Sequence, residues 1–111
     1  MAAFVPDVRD VVWLTFDPQA GHEQSGRRPA LVVSPASYNR KSGLALVCPV
    51  TSQIKAYPFE VELPAGIGVT GAVLVDQIKS LDWRARHAAF AGKASTALSA
   101  EVLAKAATLL S

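Results

Sequence analysis

Val11-Val12-Trp13-Leu14-Thr15-Phe16, closed by Asp17-Pro18, is an apolar run rich in β-branched and aromatic residues. Its length and composition predict a strand that ends in a turn. The polar stretch Gly21-His22-Glu23-Gln24-Ser25-Gly26-Arg27-Arg28-Pro29 follows and predicts a loop, long for a chain of this size. Long loops in compact domains commonly carry function. Ala30 to Ser34 reads as the second strand, with Pro29 at its start because proline cannot donate to an inner ladder. Ser34-Pro35 has the form of an N-cap followed by a first helical residue, and a short helical turn through Tyr38 and Asn39 should stop at Gly43. Leu44 to Val50, Phe59 to Leu63 and Gly71 to Ile78 are the next strands, with a turn over Pro64 to Thr70. Leu81 to Ala94 is strand-like in part, and Trp83-Arg84-Ala85-Arg86 is ambiguous. Ser99 is the expected N-cap of a last helix that sets Val102, Leu103, Ala106, Leu109 and Leu110 on one face, with Leu98 and Leu103 as a hydrophobic staple. The sum is a mainly β chain: a six-strand antiparallel sheet curled into a barrel and covered by a C-terminal helix.

A chain of 111 residues, half of them apolar and 18% charged, fits a single folded domain spanning 1–111 that buries a core without disulfides. The one cysteine, Cys48, sits in an apolar run and should be a buried, inert thiol. Two histidines and that cysteine, scattered along the chain, suggest no zinc ligand set, and no metal or other cofactor is expected. The first ten residues carry no apolar core of a secretory leader. No apolar stretch approaches the ~20 residues a membrane helix needs. A cytoplasmic protein with no membrane partner is expected. The net charge of +2 says little, but Arg40, Lys41 and Lys55 stand without acids across residues 40–57, and Lys79, Arg84, Arg86 and Lys93 face only Asp82 across 77–97. Folded together, these segments would make a basic patch suited to a polyanion.

Glu23, Arg28 and His22 share one loop, and Thr51-Ser52 lie just past the third strand. A carboxylate or imidazole can move a proton, a guanidinium can stabilise charge on a phosphate, and a hydroxyl can add a hydrogen bond. The same residues are equally consistent with a solvated ion pair and with turn chemistry.

The ordered segments Val5-Pro6-Asp7, Val12-Trp13-Leu14-Thr15-Phe16-Asp17-Pro18, Gly21 through Ala30, Ser34-Pro35, Tyr38-Asn39, Pro49-Val50-Thr51-Ser52, Tyr57-Pro58-Phe59-Glu60-Val61, Asp76-Gln77-Ile78-Lys79-Ser80 and Trp83-Arg84-Ala85-Arg86 together resemble the MazF/PemK family of toxin endoribonucleases. The resemblance covers nearly the whole chain. It implies a small SH3-like barrel of the CcdB/PemK type, a homodimer, single-stranded RNA bound in a groove between subunits, and an acidic MazE-like antitoxin whose flexible tail fills that groove. It also implies metal-independent cleavage by 2′-hydroxyl attack. Arg28 and Thr51 match the family's catalytic pair, with Glu23 implicated beside them. Asp76, Gln77, Lys79 and Arg86 match residues that line or flank the RNA groove, and Phe16, Gln24 and Lys55 complete the expected RNA contacts.

A guanidinium stays protonated at cellular pH, so Glu23 is the better proton acceptor, Arg28 the charge stabiliser and Thr51 a hydrogen-bond donor. His22 stands where the family often has serine, and its ordinary pKa suits proton transfer. Trp13 and Phe59 read as core, and only Phe16, at a loop edge, reads as a base-stacking ring. His87 reads as surface. Two other readings share the barrel: a non-catalytic CcdB-like toxin that binds DNA gyrase, and an RNA-binding module without activity.

Overall fold

The computed structural model describes residues 4–16 and 26–110. The chain runs β1 (Asp10–Phe16), β2 (Gly26–Val32), α1 (Ala36–Ser42), β3 (Leu44–Thr51), β4 (Glu60–Glu62), β5 (Ala72–Leu74), a 3₁₀ turn (Val75–Gln77), β6 (Lys79–Asp82), β7 (Ala89–Lys93) and α2 (Thr96–Leu110). The described strands pair antiparallel in the order β4-β5-β3-β2-β1-β7, with β6 also on β3. The mainly β class with a C-terminal helix stands as expected, with seven strands among the described residues rather than six. The barrel is open: β4 and β7 end the order rather than pairing with each other.

Strand β3 organises the sheet. One edge pairs with β2 from Val47 to Pro49, while the other pairs with β6 from Leu44 to Val47 and then with β5 at Val50 and Thr51. Side chains alternate across the pleat, so the strands bury residues on both faces. Val11, Leu31, Cys48, Val50, Val73 and Val75 form one core under Leu98, Val102 and Ala106 of α2. Val12, Leu14, Phe16, Ala30, Val47 and Trp83 form a second core on the opposite face. Cys48 is fully buried and its thiol is pushed up to about 12 by burial and by the charge of Asp76, so it is inert as expected.

Several boundaries differ from the sequence reading. The fifth strand, expected over Gly71 to Ile78, is only Ala72–Leu74 and passes into the 3₁₀ turn Val75–Gln77. Strand β2 begins at Gly26, so Arg27 and Arg28 are strand residues and Pro29 sits inside the strand, opposite Trp13. The proline is tolerated because of where its nitrogen points. Val33 N donates to Leu46 O, and by alternation Pro29 shares that orientation, toward β3, whose ladder with β2 starts only at Ala30. Helix α2 starts at Thr96, and its cap is Ser95 rather than Ser99: Ser95 Oγ accepts from Leu98 N at 3.1 Å. Its buried stripe is therefore Leu98, Ser99, Val102 and Ala106, while Leu103, Leu109 and Leu110 are exposed. The stretch 83–87 is a turn that joins β6 to β7.

Helix α1 ends at Gly43 in the left-handed conformation, as expected, but Ser34 does not cap it. Ser34 Oγ bonds Asn39 Oδ1 and accepts from Leu46 N. The cap comes from the N-terminal segment, where Asp7 Oδ1 accepts from Ala36 N at 2.9 Å and from Val8 N at 2.8 Å. The fully buried Asn39 donates to Pro6 O, so the same segment is fastened twice.

These bonds to Ala36 and then Val8 hold the Asp7 carboxyl below its ordinary value of 3.8, because they favour the ionised form. A lowered folded pKa means the stability is complete above the unfolded pKa and is lost as pH falls through the folded one. Asp7→Ala should cost about 1 kcal/mol at neutral pH, as a lost helix cap does. Urea unfolding from pH 7 downward checks it: the deficit should shrink as wild type is titrated below pH 3.8, and a constant deficit would remove the carboxylate from the account.

Candidate functional site

The chemistry-bearing residues gather where β2 and β3 part. The last pair of their ladder is Ala30 with Pro49, and Arg28 and Thr51 each lie two residues beyond it. Alternation sets both on the face that carries Ala30, Val32 and Val47. Thr51 is only 6% exposed, and its Oγ1 accepts from Gln53 N at 3.1 Å. Behind it Gly71 has a φ of 130°, and a Cβ there would stand 2.1 Å from Thr51 O. The absence of a side chain lets the start of β5 press directly on the backbone of Thr51.

Two clefts flank the end of β3, and alternation along the strand makes it the wall between them. Thr51 lines a cleft of about 350 Å³ together with Gln53, Lys55, Tyr57, Asp76 and Gln77. Val50 and Ser52 face a second cleft of about 400 Å³ with Trp13, Arg27 and Arg28. In the first cleft Lys55 Nζ lies 5.9 Å from the centre of the Tyr57 ring, a cation held at an aromatic face.

A third group sits at the end of β1. Arg27 donates to Thr15 Oγ1 at 3.1 Å and to His87 O at 2.7 Å, and Arg86 donates to Thr15 O at 3.1 Å. These bonds tie the 83–87 turn to β1 beside Arg28. Lys79 Nζ lies 5.8 Å from the centre of the Phe16 ring. The β3–β6 pairing does join the two cation-bearing segments, yet not all of their charge is on offer: Lys93 is paired with Asp10 at 2.9 Å, and Arg84 stacks on Trp83 at 4.7 Å.

Residues 7–110 match the PemK-like, MazF-like toxin of type II toxin–antitoxin systems. The chain belongs to the PemK/MazF toxin family. The endoribonuclease toxin MazF of Escherichia coli (strain K12) is 51% identical over 88 residues, which is 79% of this chain and 78% of that protein. A crystal structure of MazF from Deinococcus radiodurans superposes with a TM-score of 0.93 at 57% identity, covering 97% of this chain and 98% of that one. MazF in a MazE–MazF crystal structure from the same organism gives a TM-score of 0.87 at 51% identity, with 97% of each chain covered. This PemK/MazF chain is thus a toxin endoribonuclease, and the gyrase-binding reading is not favoured.

Measured against that identity, the sequence-derived site divides. His22, Glu23 and Gln24 lie outside the described residues. Arg28 and Thr51 lie at the same strand ends but border different clefts, and Thr51, Lys55, Asp76 and Gln77 share one of them. Lys79 and Arg86 sit beside the end of β1. Phe16 is a correction: at 2% exposure its ring belongs to the second core and offers no face for a base. The exposed aromatic of β1 is Trp13, at 37%, which was expected in the core. Period-two alternation carries the missing signal, because Leu14 and Phe16 share one face and Trp13 must take the other. Arg27, Gln53, Tyr57 and Glu60 also border these clefts or brace them without having been singled out. Arg27 was legible as the neighbour of Arg28 on a strand, once the strand's start was known.

Proposed function

We propose that this toxin cuts single-stranded RNA by driving a 2′-hydroxyl onto its own phosphorus, without a metal ion. The 2′-oxygen–phosphorus bond forms as the bond to the 5′-oxygen breaks, leaving a 2′,3′-cyclic phosphate and a 5′-hydroxyl. The observation that supports this reading is the position of Arg28 and Thr51, each two residues beyond the last β2–β3 pair. Thr51 lines a cleft that also holds Lys55, Asp76 and Gln77, and Arg28 borders the cleft on the other side of β3. Thr51 supplies a directed proton: its oxygen already accepts from Gln53 N, so the hydroxyl hydrogen is left to donate to a phosphoryl oxygen. Arg28 stabilises the negative charge that builds on the pentacoordinate phosphorus. Glu23 takes the proton of the 2′-hydroxyl, and His22 or Arg28 returns one to the leaving 5′-oxygen. Among the described residues, no three His, Cys, Asp or Glu side chains gather as a metal-ligand group.

Cleavage should therefore survive excess EDTA, and mapped products should carry 2′,3′-cyclic phosphate and 5′-hydroxyl ends. One deoxyribose just 5′ of the cut phosphate should block cleavage and leave binding nearly intact. Ends bearing a 5′-phosphate, or cleavage of the deoxy substrate, would replace the 2′-hydroxyl by an external water.

The roles separate by substitution. Arg28→Ala should slow cleavage by about 10²–10³, as loss of an oxyanion donor does. Arg28→Lys keeps the charge without the two-pronged grip and should recover only part. Glu23→Gln should slow cleavage, and His22→Ser should leave it within a few-fold. Thr51→Val should hurt cleavage more than RNA binding, and because Thr51 is buried in a strand it should also cost roughly 1 kcal/mol of stability through the lost bond to Gln53 N. Normal cutting by Arg28→Ala beside a dead His22→Ser would make histidine the catalyst.

The chain acts in the cytoplasm, where its RNA is, as a homodimer held in check by an acidic MazE-like antitoxin. Support for the dimer comes from Tyr38 of α1 with Leu44 and Leu46 of β3, apolar side chains left exposed on a single chain. The Deinococcus radiodurans MazE–MazF structure supports the antitoxin. Sedimentation at micromolar concentration should give a dimer alone and a larger particle with antitoxin. An active monomer would remove the subunit interface from the site.

A further inference from the structure

The connection from β3 to β4, residues 52–59, has no helix or strand, yet through Lys55 and Tyr57 it forms a wall of the Thr51 cleft. A wall of this kind holds its shape only if something fastens its backbone. At the bend of this loop a carboxylate does the fastening. Glu60 Oε1 accepts from Lys55 N and from Ala56 N, each at 3.0 Å. Successive N–H groups converge on one oxygen when one residue takes the left-handed conformation, and Ala56 does so, with a φ of 58°. Alanine avoids that region because its Cβ crowds the following carbonyl, so the carboxylate must hold it there. The remaining ties hold the loop's two ends rather than this bend. Gln53 N bonds Thr51 Oγ1, Glu60 N bonds Tyr57 O, and Lys105 of α2 donates to Pro58 O.

The charge of Glu60 needs explaining too, since an acid beside a polyanion's cleft repels it. Two backbone N–H groups donate to one carboxylate oxygen, which commits that oxygen to the loop rather than to the cleft. What the brace presents to the cleft is the Tyr57 ring, 58% exposed, with Lys55 at its face and the Asp76–Gln77 turn lining the same cleft. A ring face with a side-chain carboxylate and amide in the same cleft suits one unpaired RNA base, stacked and read along its edge.

We propose that Glu60 is a positioning residue for base discrimination: by holding Ala56 left-handed, its carboxylate fixes Lys55 and Tyr57 in the cleft where Asp76 and Gln77 read a base. The inference rests on the RNA-cleaving reading above and deepens it. Cleavage of a randomised single-stranded RNA pool, sequenced at the cut sites, tests it alongside kinetics on the preferred site and amide hydrogen exchange. Glu60→Ala should expose the amides of Lys55 and Ala56 to exchange, flatten the preference at one base position, and raise KM about tenfold with a smaller change in kcat, the scale of a lost charged hydrogen bond. Glu60→Gln keeps an acceptor and should retain most of the preference. An unchanged cut-site profile and KM in Glu60→Ala overturns the inference while the RNA-cleaving reading stands, as does a fall in kcat with KM and profile unaltered. A wild-type chain that cuts no RNA overturns the reading of the site and this inference with it.

Discussion

Strand β3 has to satisfy three partners along eight residues, and the rest of the molecule follows from how it does so. One edge stays with β2, while the other changes from β6 to β5 between Val47 and Val50. Pro49 falls in that gap. Leu46 O faces β2, so alternation turns the proline nitrogen toward the opposite edge, between the two ladders, where no bond is missed. The exchange of partners lets a continuous strand serve both cores, Ala45 and Val47 in one and Cys48 and Val50 in the other. Thr51 is the last residue so enclosed, with β5 on one side and the parting of β2 on the other.

Alternation then distributes function as it distributes core. Arg27 and Arg28 are neighbours in sequence but occupy opposite faces of β2. Arg27 spends its guanidinium on Thr15 and on the carbonyls of the 83–87 turn, fixing the surroundings. Arg28 borders the second cleft, across the end of β3 from the cleft that Thr51 lines. The same logic separates Trp13, open to the second cleft, from Phe16, which fills the core beneath Lys79. Both arginines border the second cleft, whereas of the two aromatics Trp13 borders it and Phe16 is structural.

Much of this was legible in the sequence. Apolar runs marked β1, β3 and the helix α2, Gly43 marked the end of α1, and the ordered segments from Val5 to Arg86 carried the family and its activity. Strand starts were less legible, because they are set by partners. Gly26 to Pro29 looks like a loop until β1 supplies the ladder that recruits it. Ser99 looks like a cap, but Ser95, with equal chemistry, lies where the helix enters. Phe16 sits next to a polar stretch and so read as surface, yet β-alternation with Val12 and Leu14 buries it. The tertiary cap from Asp7 to Ala36 spans 29 residues, a distance over which no local pattern reports.

For the proposed cleavage, the placement of Thr51 at the end of a doubly paired strand, rather than on a loop, has a consequence. A hydrogen-bond donor stabilises a transition state in proportion to how little it must reorganise. Thr51 is fixed by β5, by the close approach of Gly71 and by the bond from Gln53 N, and its burial lowers the local dielectric in which its hydroxyl acts. The groups that would read a base stand apart from that rigidity, on an irregular loop and a 3₁₀ turn that meet it only at its end. On the proposed roles, the cleaving groups rest mainly on the sheet and the base-reading groups on the loop, with the bond from Gln53 N to Thr51 joining the two. On those same proposed roles, side-chain changes in residues 54–60 would alter which RNA is chosen while leaving the sheet anchorage of Arg28 and Thr51 in place.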